Sequence, residues 1–334
     1  MTRLIMTLFL LTCTVMPVHA ATTLKIATVA PDGTSWMKQM RQAAGEIKKK
    51  TDGRVKLRFY PGGVMGNDNS VLRKIRVGQL HGGALTGGGL IAIYSDAHVY
   101  TLPFQFRDLP EVDAVRRSMD QQIIGGLQQA GFISFGLSEG GFAYLLSNSP
   151  VMTTDDMRGL KIWIPEGDEV NARMFNALGI SPIPLPVTDV MTGLQTGLID
   201  TIASSPIGAI ALQWHTRVKY LTQVPLAYLY ATLVIKEKAL ARLDEADRRI
   251  VTETLQATFS EINNINRRDN QQALAALKQQ GITFTQPTLA QQQAWESHAN
   301  GILKTLASQG VFSNKMLSQM QDIIRTQRSS KTAD

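Results

Sequence analysis

From Asp244 to Gln279 the chain contains neither proline nor glycine. Val251, Leu255, Phe259 and Ile262 recur within that stretch at helical spacing. One unbroken helix there would be about 54 Å long, more than one small domain can cover. The stretch is therefore either a single helix serving two domains or two helices broken near Asn263-Asn264.

The first two thirds have a different grammar. Leu24 to Val29 reads as a strand, and Met37, Met40, Ala44 and Ile47 as a helical stripe stopped by Gly53. Val55, Leu57 and Phe59 alternate with polar residues as a second strand. Asp68 or Asn69 caps a helix carrying Val71, Leu72 and Ile75, and Gly82 to Thr86 reads as a third strand. Further strands are expected at 133–137, 142–146, 160–164 and 199–203. Thr188 is expected to cap one helix, and Ser205 before Pro206 another. Alternating strands and helices indicate α/β layers with a largely parallel sheet.

Residues 1–20 read as a signal peptide: Arg3, an apolar run from Leu4 to Val15, and a small residue, Ala20, before the cut. The single cysteine, Cys13, lies in that run, so the exported chain would hold no thiol. The net charge of +7 is scattered. Its longest run, Lys48-Lys49-Lys50, suits a helix C-terminus better than a nucleic-acid patch. Outside the signal the histidines are His81, His98, His215 and His298, none in metal-binding spacing. No nucleophile elbow or phosphate loop is present, and Ser204-Ser205 has no nucleophile context. Neither an enzyme, a cofactor nor a metal is expected. The glycines at 82, 83, 87, 88 and 89 suggest close backbone approach or tight turning.

Five stretches in order, "PGGVMGND" (61–68), "TLPFQFRD" (101–108), "GLKIWIP" (159–165), "ALGISPIPLP" (177–186) and "GLQTGLID" (193–200), resemble solute-binding proteins of tripartite ATP-independent periplasmic (TRAP) transporters, of the dicarboxylate-receptor type. The likeness covers nearly all of 24–324. It implies an α/β, two-domain periplasmic-binding-protein clamp with a long helix (244–279) bridging both domains. The first domain would comprise 22–139 plus 230–250, and the second 140–229 plus 280–325. It also implies a periplasmic protein that passes a small-molecule ligand to TRAP-type membrane permease subunits.

The resemblance makes departures visible. The position held by Trp163 usually carries an arginine that clamps the ligand carboxylate, and a second arginine usually falls near Ala143. The family's "DGxExP" reads "DTIASSP" here, so Ser204 and Ser205 match loosely. An indole has one N–H and no charge and cannot replace a bidentate guanidinium. The ligand expected is therefore apolar or uncharged. A variant group that lacks the arginine is encoded with tetratricopeptide proteins, which adds such a protein as an expected partner. The ligand-binding candidates are Asn67, Thr86, Gly87, Phe104, Ala143, Trp163, Ser204, Ser205 and Trp214. Trp163 is either a cleft wall or a core residue under the hinge. Trp214 equally continues the Ile207/Ile210 stripe, and Phe104 reads equally as packed loop. Two rival readings remain open. An acid could bind through the helix N-terminus at Ser204-Ser205, or the clamp could be a lipid shuttle or sensor for another partner. Arg107 and Lys161 read as solvated charges.

Overall fold

The computed structural model describes residues 21–331, so the expected signal peptide at 1–20 lies outside the described residues. Strands β1 (Thr22–Thr28), β2 (Val55–Tyr60) and β3 (Gly82–Thr86) are parallel, with α1 (Ser35–Lys50) and α2 (Asp68–Arg76) between them. A short α3 (Gly87–Leu90), a 3-10 turn over Ser95–Thr101, α4 (Leu109–Gln129) and β4 (Phe132–Ser134) complete the first lobe. β5 (Ser138–Ser147) leads into the second lobe. There β6 (Trp163–Pro165), α5 (Glu169–Ala177), β7 (Ile183–Leu185), α6 (Val190–Thr196), β8 (Thr201–Ser204) and α7 (Pro206–Ala211) follow. β9 (Tyr220–Lys236) then runs back, followed by α8 (Glu237–Leu240), α9 (Glu245–Gln279), β10 (Thr283–Thr285), α10 (Leu289–Ser308) and α11 (Asn314–Lys331).

One sheet, in the order β2-β1-β3-β9-β5-β8, joins the lobes, and β4 and β10 also pair with β9. β9 makes this possible. Its 17 residues span about 56 Å. Its C-terminal end pairs antiparallel with β3 and β4, and its N-terminal part antiparallel with β5 and parallel with β10. Pro225 lies in its interior, where it donates no ladder hydrogen bond. The β5–β9 register slips there, between the pairs Ala143↔Ala227 and Leu145↔Thr222. The released Leu226 carbonyl accepts from Phe104 N instead, at 2.7 Å.

The proline-free stretch is one helix of 35 residues, about 52 Å long. Asp244 caps it through Asp247 N. Its N-terminal half buries Val251, Leu255, Phe259 and Ile262 against Met40, Ile47 and Leu233, whereas Leu277 joins the second lobe's core. Its middle does not break at Asn263-Asn264, because the polar residues there have partners on β5. Asn263 Oδ1 accepts from Glu139 N at 2.7 Å, and Asn266 Nδ2 donates to Glu139 O at 2.6 Å. Asn270 Nδ2 donates to Gly140 O, and Arg267 Nε to the buried Glu139 carboxylate at 2.8 Å. The low helix propensity of asparagine is offset by hydrogen bonds to the backbone where the chain crosses between lobes.

Four expectations need correction. Residues 280–325 do not all pack in the second lobe: α11 lies along α4, and its Met316, Leu317, Met320 and Ile324 share a core with Val112, Val115 and Met119. The strand expected at 133–137 stops at Ser134, before Gly136 at φ 141°. The one expected at 160–164 shortens to Trp163–Pro165. Thr188 caps nothing: its hydroxyl donates to Asp189 Oδ1 in a 3-10 turn, and α6 starts without a side-chain cap.

Candidate functional site

A cavity of about 810 Å³ lies between the lobes. The structure brings all nine sequence-selected residues to its wall, Asn67, Thr86, Gly87 and Phe104 from the first lobe and Ala143, Trp163, Ser204, Ser205 and Trp214 from the second. Three of the chain's four tryptophans line it, Trp295 on α10 being the third.

Trp163 satisfies both of its readings. It is only 5% exposed and belongs to a core with Leu194, Ile199 and Ile202, yet part of its surface forms cavity wall. Its ring meets Trp214 edge-on, with centroids 5.3 Å apart and an interplanar angle of 68°. The indole N–H is not available to a ligand, because it donates to Leu185 O at 2.9 Å, tying β6 to β7. Ile162 packs into a separate core with Leu145 and Trp295, so both faces of this segment are buried. Ala143, 1% exposed, pairs with Ala227 and leaves the floor small and uncharged. Phe104 holds a left-handed backbone at φ 55° and meets Trp295 edge-on at 5.5 Å. That conformation is strained for a phenylalanine, and the hydrogen bond to Leu226 O holds it in place.

The helix at Pro206 was a possible anion seat, and its donors are already taken. Ser205 caps α7 by accepting from Gly208 N at 3.3 Å. Ile207 N donates to Asn270 Oδ1, Ala209 N to Ser205 O, and Pro206 has no N–H. The Ser204 hydroxyl donates to Ser205 O. Ser204 and Ser205 thus build the wall, and the local geometry explains why no anion seat forms there.

Among the described residues, charge on the wall is mostly negative: Asp68, Glu166, Asp168 and Glu169 against one cation, Arg173. Arg173 is half exposed, 3.7 Å from Glu169 and hydrogen-bonded to Gln309. Arg107 pairs with Glu296, and Lys161 donates to Gly197 O; neither lines the cavity. Asn67, not Asp68 or Asn69, caps α2, accepting from Ser70 N at 2.9 Å. Its amide also donates to Glu166, joining the two lobes at the mouth. Asp68 is thereby left for the cavity. Its Oδ2 accepts from Thr86 N at 3.1 Å and Thr86 Oγ1 at 2.7 Å. Burial pushes its carboxyl above the usual aspartate range, and the two Thr86 bonds only partly offset that. Behind the wall His98 is fully buried, its Nδ1 beside Thr101 Oγ1. Burial lowers its pKa, with the charge of Asp168 opposing.

The glycines at 87 and 89 are here for close approach, since neither has a positive φ. A Cβ on Gly87 would lie 2.6 Å from the Tyr230 ring, and one on Gly89 2.2 Å from Asp68 Oδ2. Sequence reasoning missed Asp68 and Trp295 as wall residues. Asp68 sits inside the quoted 61–68 stretch, but the competition between Asn67 and Asp68 for the cap is settled only in three dimensions. Among the described residues no cluster of three or more His, Cys, Asp or Glu could hold a metal ion.

A two-lobed α/β clamp with a cleft between the lobes matches known proteins throughout. The model of bacterial extracellular solute-binding protein family 7 (DctP) matches residues 26–309. The chain belongs to this family.

Family 7 relatives include the C4-dicarboxylate-binding periplasmic protein DctP of Rhodobacter capsulatus, 26% identical over 75% of each chain. The sialic acid-binding periplasmic protein SiaP of Vibrio cholerae is 24% identical over 81% of this chain and 85% of that one. The fold matches the sugar acid binding protein DctPAm of Advenella mimigardefordensis, in complex with galactonate, at a TM-score of 0.85. That match has 18% identity and covers 92% of this chain and 99% of that one. A TRAP periplasmic solute binding protein from Sulfurospirillum deleyianum with bound succinate matches at 0.83, with 20% identity over 91% and 99%. This family 7 protein is accordingly a periplasmic TRAP solute-binding protein, a binding component of transport and not an enzyme. Proteins of this kind work with membrane permease subunits. Among the described residues no helix is long and apolar enough to cross a membrane.

Proposed function

We propose that this family 7 protein captures a ligand with a largely apolar body, in place of a dicarboxylate or sugar acid, and hands it to TRAP-type permease subunits. The observation that carries this reading is the wall itself. Trp163, backed by Trp214, stands where the resemblance leads one to expect an arginine, and Arg173, the only lining cation among the described residues, is already paired. An acid entering here would bury a carboxylate without a cation, at a penalty of several kcal/mol. Burying an apolar ring against the indoles contributes about 1.5–3 kcal/mol. The relatives named for acids describe their own ligands. The chain's identity to them leaves room for an exchanged pocket.

The lobes would act as a clamp. β9, β5 and α9 cross between 22–139 and 140–229, and ligand contacts from both sides favour closure. A tetratricopeptide partner rests on the missing arginine alone. The test is mass spectrometry of what co-purifies from the native periplasm. An apolar or amphipathic molecule is expected, and a dicarboxylate or sugar acid would overturn the reading.

A further inference from the structure

Asp68 is an unusual wall for an apolar cavity. Both Thr86 hydrogen bonds fall on Oδ2, none falls on Oδ1, and Asp68 lines the cavity. Among the described residues no cation lies against this carboxylate. The backbone beside it is bare. Gly89 packs so tightly on Asp68 that a Cβ would lie 2.2 Å from Oδ2, whereas Gly88 faces open space apart from Thr86 Oγ1 at 3.9 Å. Gly88 thus leaves space on the cavity side of Thr86, beside the Asp68 carboxylate that Thr86 holds.

The geometry points to a ligand with an ammonium head on its apolar body, seated on Asp68 Oδ1 with the body against the tryptophans. This rests on the apolar-ligand reading and names the ligand class within it. Three features support it. A carboxylate buried without a counter-charge is costly, and an ammonium supplies both the charge and the donor. The other lining acids, Glu166, Asp168 and Glu169, face one paired cation, so the cavity carries a surplus of negative charge. Aromatic rings also tolerate a cation beside them, and Tyr230, Trp163 and Trp214 line the same cavity as Asp68. Any anionic ligand meets the reverse of each feature.

Isothermal titration of the whole mature chain at neutral pH tests this with three probes of one skeleton: 3-phenylpropylamine, 3-phenylpropan-1-ol and 3-phenylpropanoate. The amine is expected to bind about tenfold or more tighter than the alcohol, as one charge-assisted hydrogen bond allows, and the carboxylate weakest. Asp68→Asn should remove the amine's advantage over the alcohol, with the melting curve showing a folded protein. An amine no tighter than the alcohol, with the carboxylate still weakest, overturns the ammonium seat and leaves the apolar reading standing. A carboxylate that binds tightest, or no binding by any probe at millimolar concentration, overturns both. The wild-type comparison decides the matter even where the variant fails to fold.

Discussion

Replacing Trp163 stepwise tests whether its indole is both packed and hydrogen-bonded. Trp163→Phe keeps a ring against Trp214 but removes the donor to Leu185 O at 2.9 Å. Leaving that carbonyl without its partner costs about 1–2 kcal/mol. Trp163→Ala also removes a ring that is 5% exposed, including an edge-on aromatic contact worth about 0.5–1.5 kcal/mol. The full truncation falls in the range of about 3–5 kcal/mol for large aromatic residues in cores. Urea unfolding of the ligand-free protein, followed by far-UV circular dichroism, reads the two losses as midpoint shifts at equal slope. The expected order is wild type, then Phe, then Ala, with the second step larger. An alanine loss below about 1 kcal/mol, or a phenylalanine variant as stable as wild type, would refute the packed, tied indole. In the same samples the alanine variant should bind 3-phenylpropylamine more weakly, because an aromatic wall of the cavity has gone.

Other perturbations reach the hinge, the mouth and the carboxylate. Arg267→Ala leaves the carboxylate of Glu139, which is 1% exposed, with the Tyr228 hydroxyl but no cation, and should destabilise by about 3 kcal/mol, the low end for breaking a buried pair because the guanidinium is part-exposed; denaturant titration measures it. The folded-state pKa of Asp68 lies above its unfolded value, so folding favours the protonated form, and that stability is present in acid and lost as pH rises through the folded pKa. Asp68→Asn should therefore raise the urea midpoint at pH 7, and the gain should vanish below the ordinary aspartate range; an equal gain at both pH values would contradict it. Asn67→Ala removes the hydrogen bond to Glu166 across the mouth, and small-angle scattering should show a larger ligand-free radius, with stability lowered by about 0.5–2 kcal/mol because the α2 cap goes as well. Gly87→Ala places a methyl 2.6 Å from the Tyr230 ring and should cost about 1–3 kcal/mol in a thermal melt, with unchanged stability as the contrary result.

The sequence by itself determined the alternating α/β grammar, the family resemblance and the long helical stretch free of proline and glycine, since these rest on local periodicity and on proline and glycine placement. It also picked out nine residues that the fold brings to one cavity wall. It did not settle whether α9 breaks, because Asn263 and Asn266 look like weak helix residues until β5 supplies their partners. Nor did it place α11: an amphipathic stripe states that a face must be buried, not which helix buries it. At the site, composition could offer Trp163 an N–H for a ligand and Ser204-Ser205 a helix N-terminus for an anion. Only the tertiary structure showed the first donor on Leu185 O and the second set on Asn270 and Ser205. It likewise gave the α2 cap to Asn67 and turned Asp68 to the cavity. Periodicity is a property of neighbours along the chain, whereas the satisfaction of a donor or a carboxylate depends on atoms distant in sequence, and those meet only when the two lobes are assembled.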